Sequence, residues 1–326
     1  MRKCFALLLA VTLALVLGGC GKKEETPKQG SDELLLGFAQ LGSESGWRIG
    51  NTKSVTEAAE RAGIRLMYSN ANQSQEKQIK AIRSYIAYRV DVIAFSPIVE
   101  DGWDNVLREA RDAGIPIIIE DRYIKTEDET LYAAHIGSDF YQEGVMAGEY
   151  LLRKLAMLPE DRTLNVIELE GTIDSTPMLQ RRAGFRDTVK DEPRIHLLDS
   201  ICGDFMISKG KECVKAMLEQ YGTEIDALFS HNDCMMYGAV EAIREYGLTP
   251  GQDVIIISVD GEQQAIDLLK EGEVNCVVEC TPNLGDEIMR VAKDLAAGRE
   301  VQREVYSQET CFTDFDDLTG LAPRGY

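Results

Sequence analysis

The residues best suited to chemistry are polar and aromatic side chains that recur just after apolar segments. The run LLLGFAQ is followed by GSESGWR, IPIIIE by Asp121 and Arg122, and VIIISV by Asp260. Nine residues in or near such positions are candidates for one binding site: Trp47, Arg48, Asp121, Arg122, Arg181, Asn232, Asp233, Asp260 and Glu279. Carboxylates and amides accept hydrogens from hydroxyls, guanidiniums donate in a planar fork, and an indole covers a C–H surface. Such a set predicts a site for a small polyhydroxylated ligand, that is, a sugar.

Each of these residues also has a simpler interpretation. A lone aspartate after a strand is more often a helix N-cap or a turn residue. Five apolar runs with the same kind of polar ending favour a shared site, because ligands of open parallel sheets bind beyond the carboxyl ends of the strands. The carboxylates could also supply a glycosidase with its two acids. We expect the nearby arginines to oppose the raised pKa that such an acid needs, so we predict no enzyme activity.

The elements that must position these residues are predicted by the pattern of apolar residues. Ten short β-rich runs alternate with segments of helical i, i+3, i+4, i+7 spacing. The runs are LLLGFAQ, RLMYSN, DVIAFSP, IPIIIED, LYAAHIGS, LNVIELEG, RIHLLDSI, IDALFSHND, VIIISVDG and CVVECTP. Strands that are apolar throughout are typical of parallel sheets with helices on both faces. We predict a doubly wound α/β fold, with Ser45 as the N-cap of the helix behind the first strand.

The predicted sheet is duplicated along the chain. The segment 90–96, a helix and a strand ending in Asp121 correspond to the segment 225–230, a helix and a strand ending in Asp260. The two aspartates are 139 residues apart (260 − 121). A repeat of this size is a whole lobe rather than a solenoid unit. We therefore expect two similar lobes that face each other, with the site between them.

The amino terminus has the features of an export signal. A basic start and an uncharged apolar run end at LGGC, whose cysteine is Cys20. The run is shorter than the roughly 20 residues of a membrane-spanning helix, and small residues precede the cysteine where a lipoprotein signal peptidase would cut. We predict a signal peptide over 1–19, lipidation with palmitate at Cys20 and a flexible linker over 20–33. The protein would then be exported and anchored to the cell membrane, facing the outside or the periplasm.

Composition and motifs argue against a nucleic-acid-binding protein, a transcription regulator and a metalloprotein. The formal net charge of −20 disfavours nucleic acid, which needs a basic face. A transcription regulator with this core would need a helix-turn-helix headpiece in place of the export signal. The cysteines and the three scattered histidines lack zinc-site spacing, so we expect neither a metal nor a cofactor. Cys276 and Cys280 are too far apart in an extended strand to pair with each other, and most thiols are interpreted as small core residues.

From about residue 34 to 326 the sequence resembles type 1 periplasmic sugar-binding proteins of ABC importers, and among them the galactofuranose-binding type. The resemblance is carried by the motifs GSESGWR, KQIKAIRSYIA, EDR, QRRAGF, SKGKE, HND, VDG and VECTPN. It implies that Trp47 and Arg48 pack on the sugar ring and that the other candidates bind its hydroxyls. Glu279 lies where the ribose type has glutamine, and Arg48 where the ribose type has a second aromatic, so ribose is disfavoured.

The same resemblance implies the domain organisation and the activity. Three hinge strands would join an N-terminal lobe (N-lobe, 34–138 plus 280–306) to a C-terminal lobe (C-lobe, 139–279 plus 307–326). A monosaccharide would be captured by lobe closure and delivered to an ABC transporter permease, and the protein would be a monomer on a lipid anchor at Cys20. A sensory role, in which the closed protein docks on a membrane receptor or kinase, would use the same pocket and remains an alternative.

Overall fold

The protein is described by a computed structural model that covers residues 33–326. The predicted signal peptide, Cys20 and all but the last residue of the predicted linker lie outside the described residues. Over the described range, every helix is too short or too polar to cross a membrane.

Twelve strands and nine α-helices follow one another within residues 33–326. The strands are β1 (Leu35–Gln40), β2 (Arg65–Asn70), β3 (Val92–Phe95), β4 (Ile117–Glu120), β5 (Ala134–Gly137), β6 (Leu164–Glu170), β7 (Ile195–Cys202), β8 (Ala227–Ser230), β9 (Ile255–Asp260), β10 (Cys276–Glu279), β11 (Glu304–Tyr306) and β12 (Cys311–Thr313). The helices are α1 (Gly46–Ala62), α2 (Gln75–Tyr88), α3 (Asp104–Asp112), α4 (Phe140–Leu155), α5 (Thr176–Val189), α6 (Ile207–Tyr221), α7 (Asp233–Tyr246), α8 (Gln263–Glu271) and α9 (Gly285–Ala296). The ten predicted strands correspond to β1 to β10, so the α/β prediction is confirmed.

The strands form two six-stranded sheets, one in each lobe. The order is β2-β1-β3-β4-β5-β11 in the first sheet and β7-β6-β8-β9-β10-β12 in the second. The identical order shows that the second lobe repeats the first, which confirms the predicted duplication. In each sheet the chain switches sides at the first strand, and a crevice for ligands forms at the carboxyl end of such a switch.

One pairing departs from the prediction of parallel sheets. All neighbouring strands are parallel except β10 and β12, which are antiparallel. Strand β11 ends at the cleft side of the first sheet, and a short segment then leads directly to β12. Because β12 enters the second sheet from its cleft side, it runs against its neighbour.

Helices cover both faces of each sheet, as expected for strands that are apolar throughout. In the N-lobe, α1 and α9 cover one face while α2 and α3 cover the other. In the C-lobe, α4 and α5 cover one face while α6, α7 and α8 cover the other. The six cysteines of the described residues are all free, and Cys234, Cys276 and Cys280 are buried. The other three are partly exposed, and two of them, Cys213 and Cys311, pack against the hydrophobic clusters, so the interpretation of most thiols as core residues is confirmed.

The chain passes between the lobes three times: between β5 and α4, between β10 and α9, and between β11 and β12. These hinge segments lie side by side. The Ser307 amide donates a hydrogen bond to the Gly137 carbonyl at 2.8 Å, and Ser138 Oγ lies 3.4 Å from Cys280 Sγ. The strand ends of both sheets meet next to these segments, around the cavity described below.

Candidate ligand-binding site

Between the two lobes lies a cavity with about 310 Å³ of empty space, part of which is open to solvent. The residues that line it are Glu44, Ser45, Trp47, Arg48, Asp121, Arg122, Pro177, Arg181, Phe205, Asn232, Asp260 and Cys280. Seven of the nine predicted residues are among them, and Asp233 and Glu279 are not.

The first turn of α1 forms one wall of the cavity. Ser45 Oγ accepts a hydrogen bond from the Arg48 amide at 3.1 Å, which confirms the predicted N-cap. Trp47 Nε1 donates to the carbonyl of Cys280 at 2.6 Å, so the indole joins the N-lobe to a hinge segment. The Arg48 guanidinium lies 4.6 Å from the centre of the indole ring, within the range of a cation–π contact. The two side chains therefore hold each other in place beside the cavity.

A network of buried charges surrounds Arg48. Its Nη2 lies 2.5 Å from Asp121 Oδ2, and its Nε lies 3.2 Å from Glu44 Oε1. Arg122 lies 3.9 Å from the same Glu44 oxygen and donates to the carbonyl of Ile98 at 3.0 Å. All four charged side chains are at most 5% exposed. Two positive and two negative charges offset one another, as buried charges must.

Neighbouring charges decide which acids of this wall are ionised. Burial alone would raise the pKa of Asp121, but Arg48 and Arg122 outweigh it and hold that pKa below its usual value. Burial and the charge of Arg48 lower the pKa of Arg122 to about 10. Glu120 receives a hydrogen bond from Asn51 Nδ2 at 3.1 Å, and burial and Asp121 raise its pKa to about 8. At neutral pH, Asp121 is therefore charged and Glu120 is protonated.

Asp121 and Asp260 share an uncommon backbone conformation, with φ of 59° and 125°. Residues other than glycine seldom take positive φ, and those that do are concentrated at functional sites. Asp121 follows β4, and Asp260 ends β9, the equivalent strand of the second sheet. The duplication thus places one strained acid on each side of the cavity.

Arg181 reaches the cavity from α5. Its Nε donates to Glu143 Oε2 and its Nη1 donates to the His231 carbonyl, both at 2.5 Å. Its Nη2 lies 4.0 Å from Asp260 Oδ1. Burial alone would lower the pKa of Arg181, but Glu143, Cys280 and Asp260 outweigh it and raise that pKa. Arg181 is therefore charged and is held by two of its three nitrogens.

Asp260 contradicts one sequence-based expectation. Burial and Asp233 raise its pKa well above the usual value, although Arg181 opposes them. The expectation that nearby arginines keep the pKa of the acids low is correct for Asp121 and wrong for Asp260. The reason is distance, because Arg181 lies 4.0 Å from Asp260 and donates its Nε–H to Glu143 instead.

The amino terminus of α7 brings one of its two predicted residues to the cavity. Asn232 lines the cavity and caps α7, accepting an amide hydrogen from the first turn at 3.0 Å. Asp233 accepts hydrogen bonds from Ser258 Oγ at 2.6 Å and from the amides of Gly261 and Glu262 at 2.9 and 2.8 Å. Its carboxylate therefore holds the loop after β9.

Glu279 is also directed away from the cavity. Its Oε1 pairs with Arg324 Nη2, and its Oε2 accepts a hydrogen bond from the Thr310 amide at 3.1 Å. Arg324 also donates to the Gly261 carbonyl at 3.2 Å. Glu279 thus joins β10 to a hinge segment and to the carboxy-terminal segment of the chain.

Five residues on the cavity wall were not predicted to contact a ligand: Glu44, Ser45, Pro177, Phe205 and Cys280. Glu44 lies in the motif GSESGWR, directly before the predicted N-cap residue Ser45. Phe205 comes shortly after the end of β7, and this position beyond a strand end is the sequence signal that marks it. Its ring lies 5.4 Å from the Arg122 guanidinium, so the contact crosses from one lobe to the other.

Three buried polar atoms on these wall residues have no hydrogen-bond partner among the described residues: Glu44 Oε2, Arg122 Nε and Asp260 Oδ2. Leaving a buried polar group unpaired costs about 1–3 kcal/mol, and few such groups occur in folded proteins. A ligand that both donates and accepts hydrogen bonds would satisfy all three. The arrangement is therefore suited to binding a small polar molecule out of water.

Several proteins that are similar to this chain are named for sugars or were solved with sugars. The Escherichia coli (strain K12) galactofuranose-binding protein YtfQ is 40% identical over 267 residues, covering 80% of this chain and 83% of that protein. A Mycobacterium smegmatis protein in complex with β-D-fucofuranose superposes with a TM-score of 0.84 at 43% identity, over 86% of this chain and 92% of the other. The periplasmic binding protein component of the Shewanella sp. ANA-3 arabinose ABC transporter, bound to α- and β-L-arabinofuranose, gives a TM-score of 0.83 at 39% identity, over the same shares. Residues 36–300 match the family described as periplasmic binding protein domain, and the chain therefore belongs to that family.

Proposed function

We propose that the protein captures a monosaccharide in its furanose form, galactofuranose or a close relative, between its two lobes. The observation that carries the proposal is the cavity between the lobes, whose wall residues leave three buried atoms without partners among the described residues: Glu44 Oε2, Arg122 Nε and Asp260 Oδ2. Sugar hydroxyls donate and accept, so one ring can pair with all three atoms. Similar proteins that were solved with fucofuranose or arabinofuranose support the furanose form.

Seven of the predicted residues would contact the sugar directly: Trp47, Arg48, Asp121, Arg122, Arg181, Asn232 and Asp260. The indole covers a C–H face of the ring, the arginines donate to ring and hydroxyl oxygens, and the acids accept from hydroxyls. Asp233 and Glu279 would act through neighbours, since Asp233 holds the loop after β9 and Glu279 holds a hinge segment.

Capture would occur by closure of the lobes. The lobes already touch around the cavity, because the Tyr123 amide donates to Thr176 Oγ1 at 3.0 Å. A sugar that pairs with both walls binds the closed arrangement better than the open one, and this difference in affinity drives closure.

A panel of sugars tests the proposal by isothermal titration calorimetry. We expect D-galactose, D-fucose or L-arabinose to bind, because each solution contains some furanose. Methyl β-D-galactopyranoside is the matched control, since its locked ring cannot become a furanose, and it should not bind. Equal binding of the locked pyranoside would contradict the furanose assignment, and no binding by any sugar would contradict the function.

Tryptophan fluorescence tests the place of the sugar. Trp47 lines the cavity, whereas Trp103 is fully buried in the N-lobe core. We expect sugar to change the emission of the wild type and of Trp103→Phe but to leave that of Trp47→Phe almost unchanged. A signal that survives in Trp47→Phe would place the sugar elsewhere.

The bound sugar would be delivered to an ABC transporter permease by an exported protein that is anchored through Cys20. The family and the relatives support transport rather than catalysis. We expect the wild type to incorporate labelled palmitate and to sediment with membranes, whereas Cys20→Ala should do neither.

Sugar uptake by cells should fall when the gene is deleted. Release of product from a glycoside panel would contradict the absence of enzyme activity.

A further inference from the structure

A second group of acids lies behind the candidate site, at the hinge. Glu143, Cys280 and Glu309 place one carboxylate or thiol atom each within 4.8 Å of the others. Ser138 Oγ donates to Glu309 Oε1 and lies 3.4 Å from Cys280 Sγ. Ser138, Cys280 and Glu309 belong to the three different hinge segments. Glu143 lies in α4, is fully buried and binds Arg181 at 2.5 Å. The group therefore connects every hinge segment to a residue of the cavity wall.

A bound cation does not explain this group. The Arg181 guanidinium already supplies a positive charge in direct contact with Glu143, so a metal ion there would be repelled. The unexplained atom is Glu143 Oε1, which is buried and has no partner among the described residues when both carboxyls are ionised. A proton on Glu309 removes the difficulty, because the Glu309 carboxyl can then donate to Glu143.

We infer that Glu143 and Glu309 are positioning residues for the proposed sugar site, Glu143 as the carboxylate that orients Arg181 and Glu309 as the neutral acid that holds Glu143 from the hinge. Glu143 accepts a hydrogen bond from Arg181 Nε, and the His231 carbonyl accepts one from Arg181 Nη1. The third nitrogen, Nη2, is left to face the cavity. Movement of the hinge would change the support of Glu143 and, through it, the direction of Arg181. The predicted effect on sugar affinity rests on the proposed function, whereas the contacts among Glu143, Glu309 and Arg181 do not.

The charges around the pair agree with this assignment. Burial and Glu143 raise the pKa of Glu309 well above its usual range, and Ser138 and Arg181 oppose them only in part. Burial also raises the pKa of Glu143, but Arg181, Cys280 and Glu309 all lower it. Of the two acids, Glu143 therefore loses its proton first. Alkaline pH would remove the proton from Glu309, and the negative charges of the Glu143 and Glu309 carboxylates would then repel each other.

The experiment compares Glu143→Gln, Glu309→Gln and the matched control Glu149→Gln, which changes an exposed glutamate of the same helix. Sugar affinity at neutral pH should fall about tenfold to a hundredfold in Glu143→Gln, the range expected for a lost charge-assisted hydrogen bond. Glu309→Gln keeps a neutral side chain and should stay within roughly threefold of the wild type, as should the control. From pH 7 to 9.5 the wild type should lose more affinity than Glu309→Gln, because Glu309, whose pKa is raised to about 10, begins to ionise only in the wild type, whereas Glu120 and Arg122 titrate in both proteins.

A second measurement needs no sugar and separates failure of this inference from failure of the proposed function. The Nε–H signal of Arg181 in a ¹H–¹⁵N NMR spectrum, assigned with Arg181→Lys, should be present in the wild type at neutral pH and lost in Glu143→Gln. Between pH 7 and 9.5 it should weaken more in the wild type than in Glu309→Gln, because Glu309 begins to ionise in this range. Should Glu143→Gln not fold, the two pH profiles decide. Unchanged Arg181 signal and affinity in Glu143→Gln, parallel pH profiles, or restoration of affinity by added Ca²⁺ or Zn²⁺ would each overturn the inference.

Discussion

Glu120→Gln should make the stability of the N-lobe less dependent on pH. Glu120 is fully buried, receives one hydrogen bond from Asn51, and has a pKa raised to about 8 by burial and by Asp121. An unfolded glutamate loses its proton near its usual pKa of about 4.3. Between these two pH values the unfolded chain has released the proton and the folded chain has kept it. Stability from this group is therefore fully present below the unfolded pKa and is lost as pH rises through the folded pKa.

The size of the effect follows from the linkage relation. One proton kept only by the folded state lowers the free energy of unfolding by about 1.4 kcal/mol per pH unit. From pH 5 to pH 7 the loss from Glu120 alone is about 2–3 kcal/mol, on the same relation. Glutamine cannot ionise, so the variant lacks this loss. The cost of its buried amide, whichever sign it has, is the same at every pH and leaves the slope unchanged.

Urea unfolding at pH 5, 6 and 7, followed by tryptophan emission, measures the slope. All proteins compared carry Trp47→Phe, because Trp47 packs against the C-lobe cluster; the emission of Trp103, which is buried in the N-lobe core, then reports the lobe that contains Glu120. The matched control is Glu129→Gln, a change of an exposed glutamate in the same lobe, which should keep the wild-type slope. Parallel stability profiles for the wild type and Glu120→Gln would show that Glu120 is ionised in the folded protein and would refute the reasoning.

Three further changes separate binding from packing. Arg181→Ala should weaken sugar binding about tenfold to a hundredfold, because hydrogen bonds to charged groups contribute roughly 1.5–3 kcal/mol; unchanged affinity by calorimetry would remove Arg181 from the site. Gly184→Ala should lower the thermal midpoint at a cost of about 1–3 kcal/mol or more, since its Cβ would overlap the Tyr141 carbonyl between α4 and α5. A wild-type midpoint would refute this. Arg324→Ala should speed hydrogen exchange in the carboxy-terminal segment and keep sugar affinity within roughly threefold, because Arg324 lies off the cavity wall. A larger loss of affinity would show that this segment supports the site.

The longer strands and helices could be predicted from the sequence, because the pattern of apolar residues extends over the whole length of each element. Strands β3, β4 and β8 are buried throughout, and their sequences are apolar except for the last residues of β4 and β8, Glu120 and Ser230. The duplication was visible because Asp121 and Asp260 end equivalent strands. Strands β11 and β12 could not be found in the same way, since three residues are too few to show a period.

The site was only partly predictable because sequence position fixes where a strand ends and not where its last side chain turns. Asp260 and Glu279 end neighbouring strands in register, yet Asp260 lines the cavity and Glu279 pairs with Arg324. The partner of Glu279 lies 45 residues away in the carboxy-terminal segment. Asp233 was assigned to the cavity beside Asn232, but successive residues at a helix start point in different directions. Contacts of this kind depend on the tertiary structure.

The pKa values of the two strand-end acids show how one duplicated framework yields two different walls. Asp121 lies 2.5 Å from Arg48 and is ionised without help from a ligand. Asp260 lies 4.0 Å from Arg181, has a raised pKa and keeps one oxygen without a partner.

Asp121 of the N-lobe wall is therefore already paired in the protein alone, while Asp260 of the C-lobe wall has unused hydrogen-bonding capacity. On the proposed function, the sugar would rest first on the wall that is already ordered. Closure would then supply Asp260 with the hydrogen bond that the protein does not provide, and this late bond is the one that makes the closed form the tighter binder.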